Sequence, residues 1–207
     1  IDKNIKTTSY RKNFWLSRLK DRSNFIKRSY TNEEKQENIA NGIKLLYNEI
    51  SKENAKNQEV QFENIEALNN GIPTKEVLGE MDEYLADLNR YYIKKYNEYN
   101  DEKDQLLLEM NDSPEKKAEF IKLKDTYANE SLEDLMTNKN DLNKIIEWEN
   151  ELIQRADPVY KDPDGFRSHY LASSKKLFGS YITTFSANLM VIWGFSIFLA
   201  ITLYYDA

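Results

Sequence analysis

This chain of 207 residues predicts an all-α fold: an elongated antiparallel helical bundle or hairpin followed by one C-terminal transmembrane helix. Three observations carry that expectation. Apolar residues recur at spacings of three and four, which puts them on one face of a helix. Six Gly and four Pro leave few of the breaks an all-β chain needs, and no apolar–polar alternation bounded by turns is evident. From Tyr181 to Tyr205 the chain runs for 25 residues without a charge.

The elements follow in order. Residues 10–30 form a basic helix whose apolar side is Phe14, Trp15, Leu19, Phe25 and Ile26. Thr31-Asn32-Glu33-Glu34 reads as a capping box, in which the threonine hydroxyl accepts a backbone N–H and Glu34 reaches back. The helix it opens carries Ile39, Ile43, Leu46, Tyr47 and Ile50 on one stripe. Asn69-Asn70-Gly71-Ile72-Pro73 is a turn. The longest helix then runs from Thr74 to about Met110, with Val77, Met81, Leu85, Leu88, Tyr92, Tyr96, Tyr99 and Leu106 along its apolar side. Ser113-Pro114-Glu115 restarts a helix with a cap, a proline at the first position and an early acid. A further capped start at Ser131 leads to a helical stripe of Leu142, Ile145, Ile146, Trp148, Leu152 and Ile153. Asp157-Pro158 and Asp162-Pro163-Asp164-Gly165 end it, because proline disfavours helix in the residue before it. A short amphipathic stretch, Phe166 to Lys176, leads into the uncharged run. The domains expected are a basic lead-in (1–30), a helical extramembrane domain (31–157), a linker (158–180) and a membrane helix (181–205). Tyr92, Tyr96, Leu142, Ile146 and Trp148 are expected in the core.

Charge is distributed unevenly. Residues 1–30 hold nine Lys/Arg and two Asp, while residues 31–170 hold eighteen Lys/Arg and thirty-two Asp/Glu. An acidic main domain repels polyanions, so no nucleic-acid partner is expected. There is no cysteine, hence no disulfide or thiolate site, and the single His169 has no ligands at metal spacing around it. No phosphate-binding glycine loop is present, and no carboxylate pair is singled out as an acid–base couple. No catalytic residue, cofactor or metal is expected in this chain.

The uncharged run is long enough to cross a hydrocarbon core about 30 Å thick, and tyrosines at both ends suit the interfaces. Within it, Thr184 and Asn188 lie one turn apart, and Ser196 and Ala200 form a small-xxx-small pair. Polar and small side chains inside lipid face other helices, so these four are the candidate helix–helix contacts. Arg167, Lys175 and Lys176 on the near flank would by themselves put the domain in the cytoplasm. The sequence opens on Ile1 and stops at Ala207, just past the run, and is read as a segment of a longer protein.

The order of features has a likeness. A basic aromatic start and a tyrosine-rich long helix precede NESLEDLMTNKN, then DLNKIIEWENELIQRADPVYKDPDGFRSHYLASSKKLFGSYITTF, then a final helix ending ITLYYD. Together they resemble the C-terminal part of the large ABC transporters of Bacteroidetes, whose ATP-binding and membrane domains share one chain. The membrane part of those proteins is similar to the G-subfamily, or ABC-2 type, of exporters. The resemblance implies that residues 1–180 are the enlarged loop between the fifth and sixth membrane helices, and 181–205 the sixth. It implies a bacterial inner-membrane location with the helical domain in the periplasm. The partners implied are lipid, other transmembrane helices of a dimeric transporter, and a periplasmic protein. ATP is expected only in the nucleotide-binding domain of the parent chain. Large domains translocate largely regardless of charge, so the resemblance outweighs the flanking lysines. The competing expectation is a tail-anchored helical scaffold that recruits a protein partner at a membrane.

Overall fold

The computed structural model describes residues 1–31, 33–163, 165–168 and 172–205. It is mostly helical, and three helical segments build its core. The first is α1 (Asp2–Tyr10), a π-helical turn (Arg11–Trp15) and α2 (Leu16–Ser29), which follow one another without a break. The second is α3 (Gln36–Lys56), and the third is the first half of α5 (Lys75–Met110). Between α3 and α5 lies the short α4 (Glu66–Asn69). The basic N-terminal stretch therefore contributes directly to the core, through Tyr10, Trp15, Leu16, Leu19 and Ile26. They meet Ile39, Leu46 and Ile50 of α3 and Leu78, Met81, Leu85 and Leu88 of α5. Burying a Leu or Ile side chain contributes about 1.5–3 kcal/mol.

Three helix starts in the middle of the chain carry side-chain caps, one of them, at Ser113, where a cap is expected. The Thr74 hydroxyl accepts from Val77 N–H at the start of α5, and the Ser113 hydroxyl accepts from Lys116 N–H at the start of α6 (Pro114–Tyr127). The third shifts: Asn129, not Ser131, caps α7 (Glu130–Thr137). The box at Thr31 does not open α3 directly. A 3₁₀ turn at Glu33–Lys35 intervenes, and Lys35 at the N-cap makes no side-chain cap bond. At 36 residues α5 is about 54 Å long, and its second half leaves the core with Ile93 and Leu108 exposed. No residue of α6 or α7 is buried.

The stretch expected to be the next helix is instead a β-hairpin, β1 (Ile145–Trp148) and β2 (Glu151–Gln154), with Glu147 opposite Leu152. Its two turn residues, Glu149 and Asn150, have φ of 50° and 60°, the left-handed pair that a tight hairpin turn needs. Alternation puts Ile145, Glu147 and Leu152 on one face and Ile146, Trp148 and Ile153 on the other. Only the first face packs on α3. Trp148 is consequently 64% exposed and Ile146 half-buried, not core. Leu142 is 95% exposed, in the Asx turn where Asp141 accepts from Asn143 N–H. Tyr92 is buried as expected, whereas Tyr96 is half-buried where α5 begins to leave the core.

A second hairpin, β3 (Ser174–Leu177) and β4 (Ser180–Thr183), takes the end of the amphipathic stretch, from Ser174 on, and the first residues of the expected membrane helix. Phe178 and Gly179 form its turn, with φ of 49° and 83°. Directly after β4 comes α8 (Thr184–Tyr205), 22 residues long.

Candidate functional site

Two features stand apart from ordinary core. The first is a buried ionic centre where the π turn, α3, α5 and β2 meet. The apolar stripe of α3 continues past Leu46 and Ile50 into Glu49 and Glu53, so two carboxylates point into the interior, 5% and 2% exposed. Glu49 accepts from the Trp15 indole N–H at 2.7 Å and from Leu152 N–H at 3.1 Å, and the Lys52 ammonium lies 3.4 Å away. Glu53 accepts from the Tyr92 hydroxyl and faces the Arg11 guanidinium at 3.5 Å. Arg11 also stacks over the Trp15 ring at 4.3 Å. The π turn holds both Arg11 and Trp15, and such insertions recur at functional or strained points of helices.

Burial disfavours the charge of Arg11, but Tyr92, Glu53 and Glu49 more than offset it and hold its pKa above the usual value. Burial raises the Tyr92 hydroxyl pKa well above the ordinary tyrosine range; Arg11 opposes the shift, while Glu53 reinforces it. Tyr10 and Tyr84 are raised in the same direction, chiefly by burial. Their hydroxyls and Asn57 Nδ2 are buried without a hydrogen-bond partner among the described residues. A cavity of about 300 Å³ opens beside the centre, lined by Arg11, Glu53, Asn57, Tyr91 and Tyr160 among others. Charge satisfaction and packing account for the centre: it ties four elements together.

Sequence reasoning missed this centre. The available signal was two acids at i,i+4 on core positions of α3, with a tryptophan and an arginine on the basic N-terminal helix. Nothing local says that these four side chains meet.

The second feature is α8. Ala187 is its only buried side chain, and Phe185, Trp193, Phe198 and Leu203 are each more than half exposed. It is one helix long and apolar enough to cross a membrane. Of the four candidate helix contacts, the first two bind the β3–β4 region. The Thr184 hydroxyl donates to the Ala172 carbonyl at 2.5 Å, and Asn188 Oδ1 accepts from Lys175 Nζ at 3.0 Å. The Ser196 hydroxyl donates to the Ile192 carbonyl of its own helix, and Ser196 and Ala200 are exposed. His169 lies outside the described residues. Among those described, no cluster of three or more potential metal ligands occurs.

The class these features define is a mostly helical protein carrying one candidate membrane-spanning helix. Comparison of the chain with protein-family models, with curated proteins and with solved structures finds no match in any of the three.

Proposed function

We propose that this chain is the membrane-attached, non-catalytic part of an ABC-2-type exporter: its large extracytoplasmic helical domain and its last transmembrane helix. The observation that carries the membrane half of this reading is α8. A dozen large apolar side chains stand exposed around its whole circumference. Left in water, they would forgo on the order of 20 kcal/mol of burial. A bilayer removes that cost.

The exporter half rests on the sequence resemblance, and two structural features support it. The Ser196–Ala200 edge of α8 is free to receive a neighbouring helix, as a multi-helix membrane domain needs. The projecting end of α5 with α6 and α7 exposes Leu108, Ile121, Leu123, Tyr127 and Leu135, a surface on which a periplasmic protein partner can dock. In this reading ATP is bound and hydrolysed elsewhere in the parent chain, and this part caps the pathway or docks the partner. A tail-anchored scaffold uses the same apolar arm with the domain in the cytoplasm.

Single-cysteine labelling of the full-length protein in its native membrane separates the two. The chain has no cysteine of its own, and Asn97 and Lys122 are exposed. Labelling of Asn97→Cys and Lys122→Cys by an impermeant thiol reagent added outside the inner membrane is the expected result. Protection until lysis would put the domain in the cytoplasm and reject the exporter topology.

A further inference from the structure

We infer that the β3–β4 hairpin is a membrane-docking element that seats on anionic phospholipid headgroups through Lys175, Lys176, Tyr181 and Phe178. This rests on the reading of α8 as a membrane-spanning helix.

Phe178 is the starting point. It is 97% exposed at the tip of a turn, with φ of 49°. That position favours Asn, Asp or Gly, because a bulky side chain gains nothing there and is strained. Neither local conformation nor packing explains a phenylalanine, so the residue is suited to something outside the protein. An aromatic side chain pointed at the boundary between headgroups and acyl chains is such a use.

The lysines behave in the same way. Lys176 is the cross-strand partner of Tyr181, and its ammonium lies 5.7 Å from that ring centroid. The Lys175 ammonium lies 4.9 Å from the Phe166 ring and donates to Asn188. Neither forms an ion pair with a carboxylate among the described residues, in a chain whose other lysines often do. From Gly165 to Tyr205 the sequence has Arg167, Lys175 and Lys176 and no acidic residue, although residues 31–170 carry fourteen more acids than bases. Positive charge is thus concentrated where the fold joins α8, which complements an anionic lipid surface and not a neutral one.

Connectivity supplies the level. Strand β4 passes into α8 without a linker, and Thr184 N–H donates to the Ser173 carbonyl at 3.1 Å, so the base of the hairpin is clamped to the helix start. Asn188 is one turn further along α8, about 6 Å. The Lys175–Asn188 bond therefore marks the polar side of the interface. The remainder, Leu189–Tyr205, is about 25 Å long, the short end of what spans a hydrocarbon core. The base of the hairpin consequently lies at headgroup height, and in the proposed pose the turn, one four-residue strand away, reaches the boundary with the acyl chains.

The test uses the full chain in vesicles of phosphatidylethanolamine with either phosphatidylglycerol or phosphatidylcholine. A nitroxide is placed at Ser180→Cys, next to the turn, and a control nitroxide at Trp193→Cys in α8. Relaxation by oxygen, which dissolves in lipid, is compared with relaxation by a water-soluble nickel chelate. The expected result is an oxygen-dominated signal at both sites in phosphatidylglycerol vesicles. Lys175→Gln with Lys176→Gln should lower the ratio of docked to undocked hairpin roughly thirtyfold, and Phe178→Ser should also reduce it. A nickel-dominated Ser180→Cys signal beside an oxygen-dominated Trp193→Cys signal overturns the docking element and leaves the membrane helix intact. Nickel-dominated signals at both sites overturn the membrane reading beneath it. Docking equal in the two lipids and unchanged by the lysine substitutions overturns the assignment to anionic headgroups.

Discussion

Replacing Arg11 by Met should destabilise the fold by about 3 kcal/mol, because it leaves two interior carboxylates with no guanidinium between them. The magnitude follows from the geometry. Arg11 Nη1 lies 3.5 Å from Glu53 Oε2, which is worth about 5 kcal/mol at an effective dielectric of about 20. The side chain is 18% exposed, so solvent screens part of this and the lower end of the range for a broken buried pair applies. Loss of the stack on Trp15 adds about 0.5–1 kcal/mol. Methionine keeps the aliphatic stem, so packing loss is small. The assay is urea unfolding in detergent, followed by Trp15 fluorescence. Trp148 and Trp193, the other two tryptophans, are replaced by Phe in every sample so that Trp15 alone emits. Adding Glu53→Gln to Arg11→Met should recover at least about 1 kcal/mol, since the glutamine carbonyl still accepts from Tyr92 without a charge. A loss below about 1 kcal/mol for the single variant, with no recovery in the double, would refute the idea that Arg11 neutralises this centre.

Three other outcomes are expected. Tyr92→Phe should cost about 1.5–3 kcal/mol by removing a hydrogen bond to a buried carboxylate, whereas Tyr84→Phe should be neutral or stabilising because its buried hydroxyl has no partner; urea midpoints compare them directly. Alkaline pH should unfold the protein. Tyr10, Tyr84 and Tyr92 all have folded-state values raised above the unfolded tyrosine value of about 10, so their stabilisation is complete below about pH 10 and is lost as pH rises beyond it. The slope reaches about 4 kcal/mol per pH unit for the three together, and replacing all three by Phe should flatten it. Finally, Glu149→Asn with Asn150→Gly should stabilise the β1–β2 hairpin by about 1 kcal/mol, since both positions have positive φ; a fall in the midpoint would contradict the turn assignment.

Much of the helical framework was legible from local pattern. Ser113 caps where its hydroxyl falls one residue before a helix-forming run, and α5 starts just after Thr74 and ends at Met110 as its apolar stripe predicts. The missed hairpin shows where such reasoning stops. Ile145, Trp148 and Leu152 are spaced for a helix as well as for two strands, and Glu149-Asn150 lacks the glycine that announces a tight turn. What selects the strands is distant. Glu49 accepts from Leu152 N–H, Asn48 donates to the Asn150 carbonyl, and Glu147 pairs with Arg22. The second hairpin escaped for a related reason: Tyr181-Ile182-Thr183 is uncharged and merges with the apolar run, so composition alone extends the helix back to Tyr181.

The helical class, the position of the long helix and the apolar helix toward the C-terminal end were readable from local pattern, because each depends on spacing or hydropathy within a single segment. Long-range packing turns Glu49 and Glu53 inward, brings Arg11 and Trp15 to them from a π turn, and pairs strands within residues 145–154 and 174–183. A buried charge or a two-stranded hairpin is stable only against partners far along the chain, and the Leu152–Glu49 bond spans 103 residues.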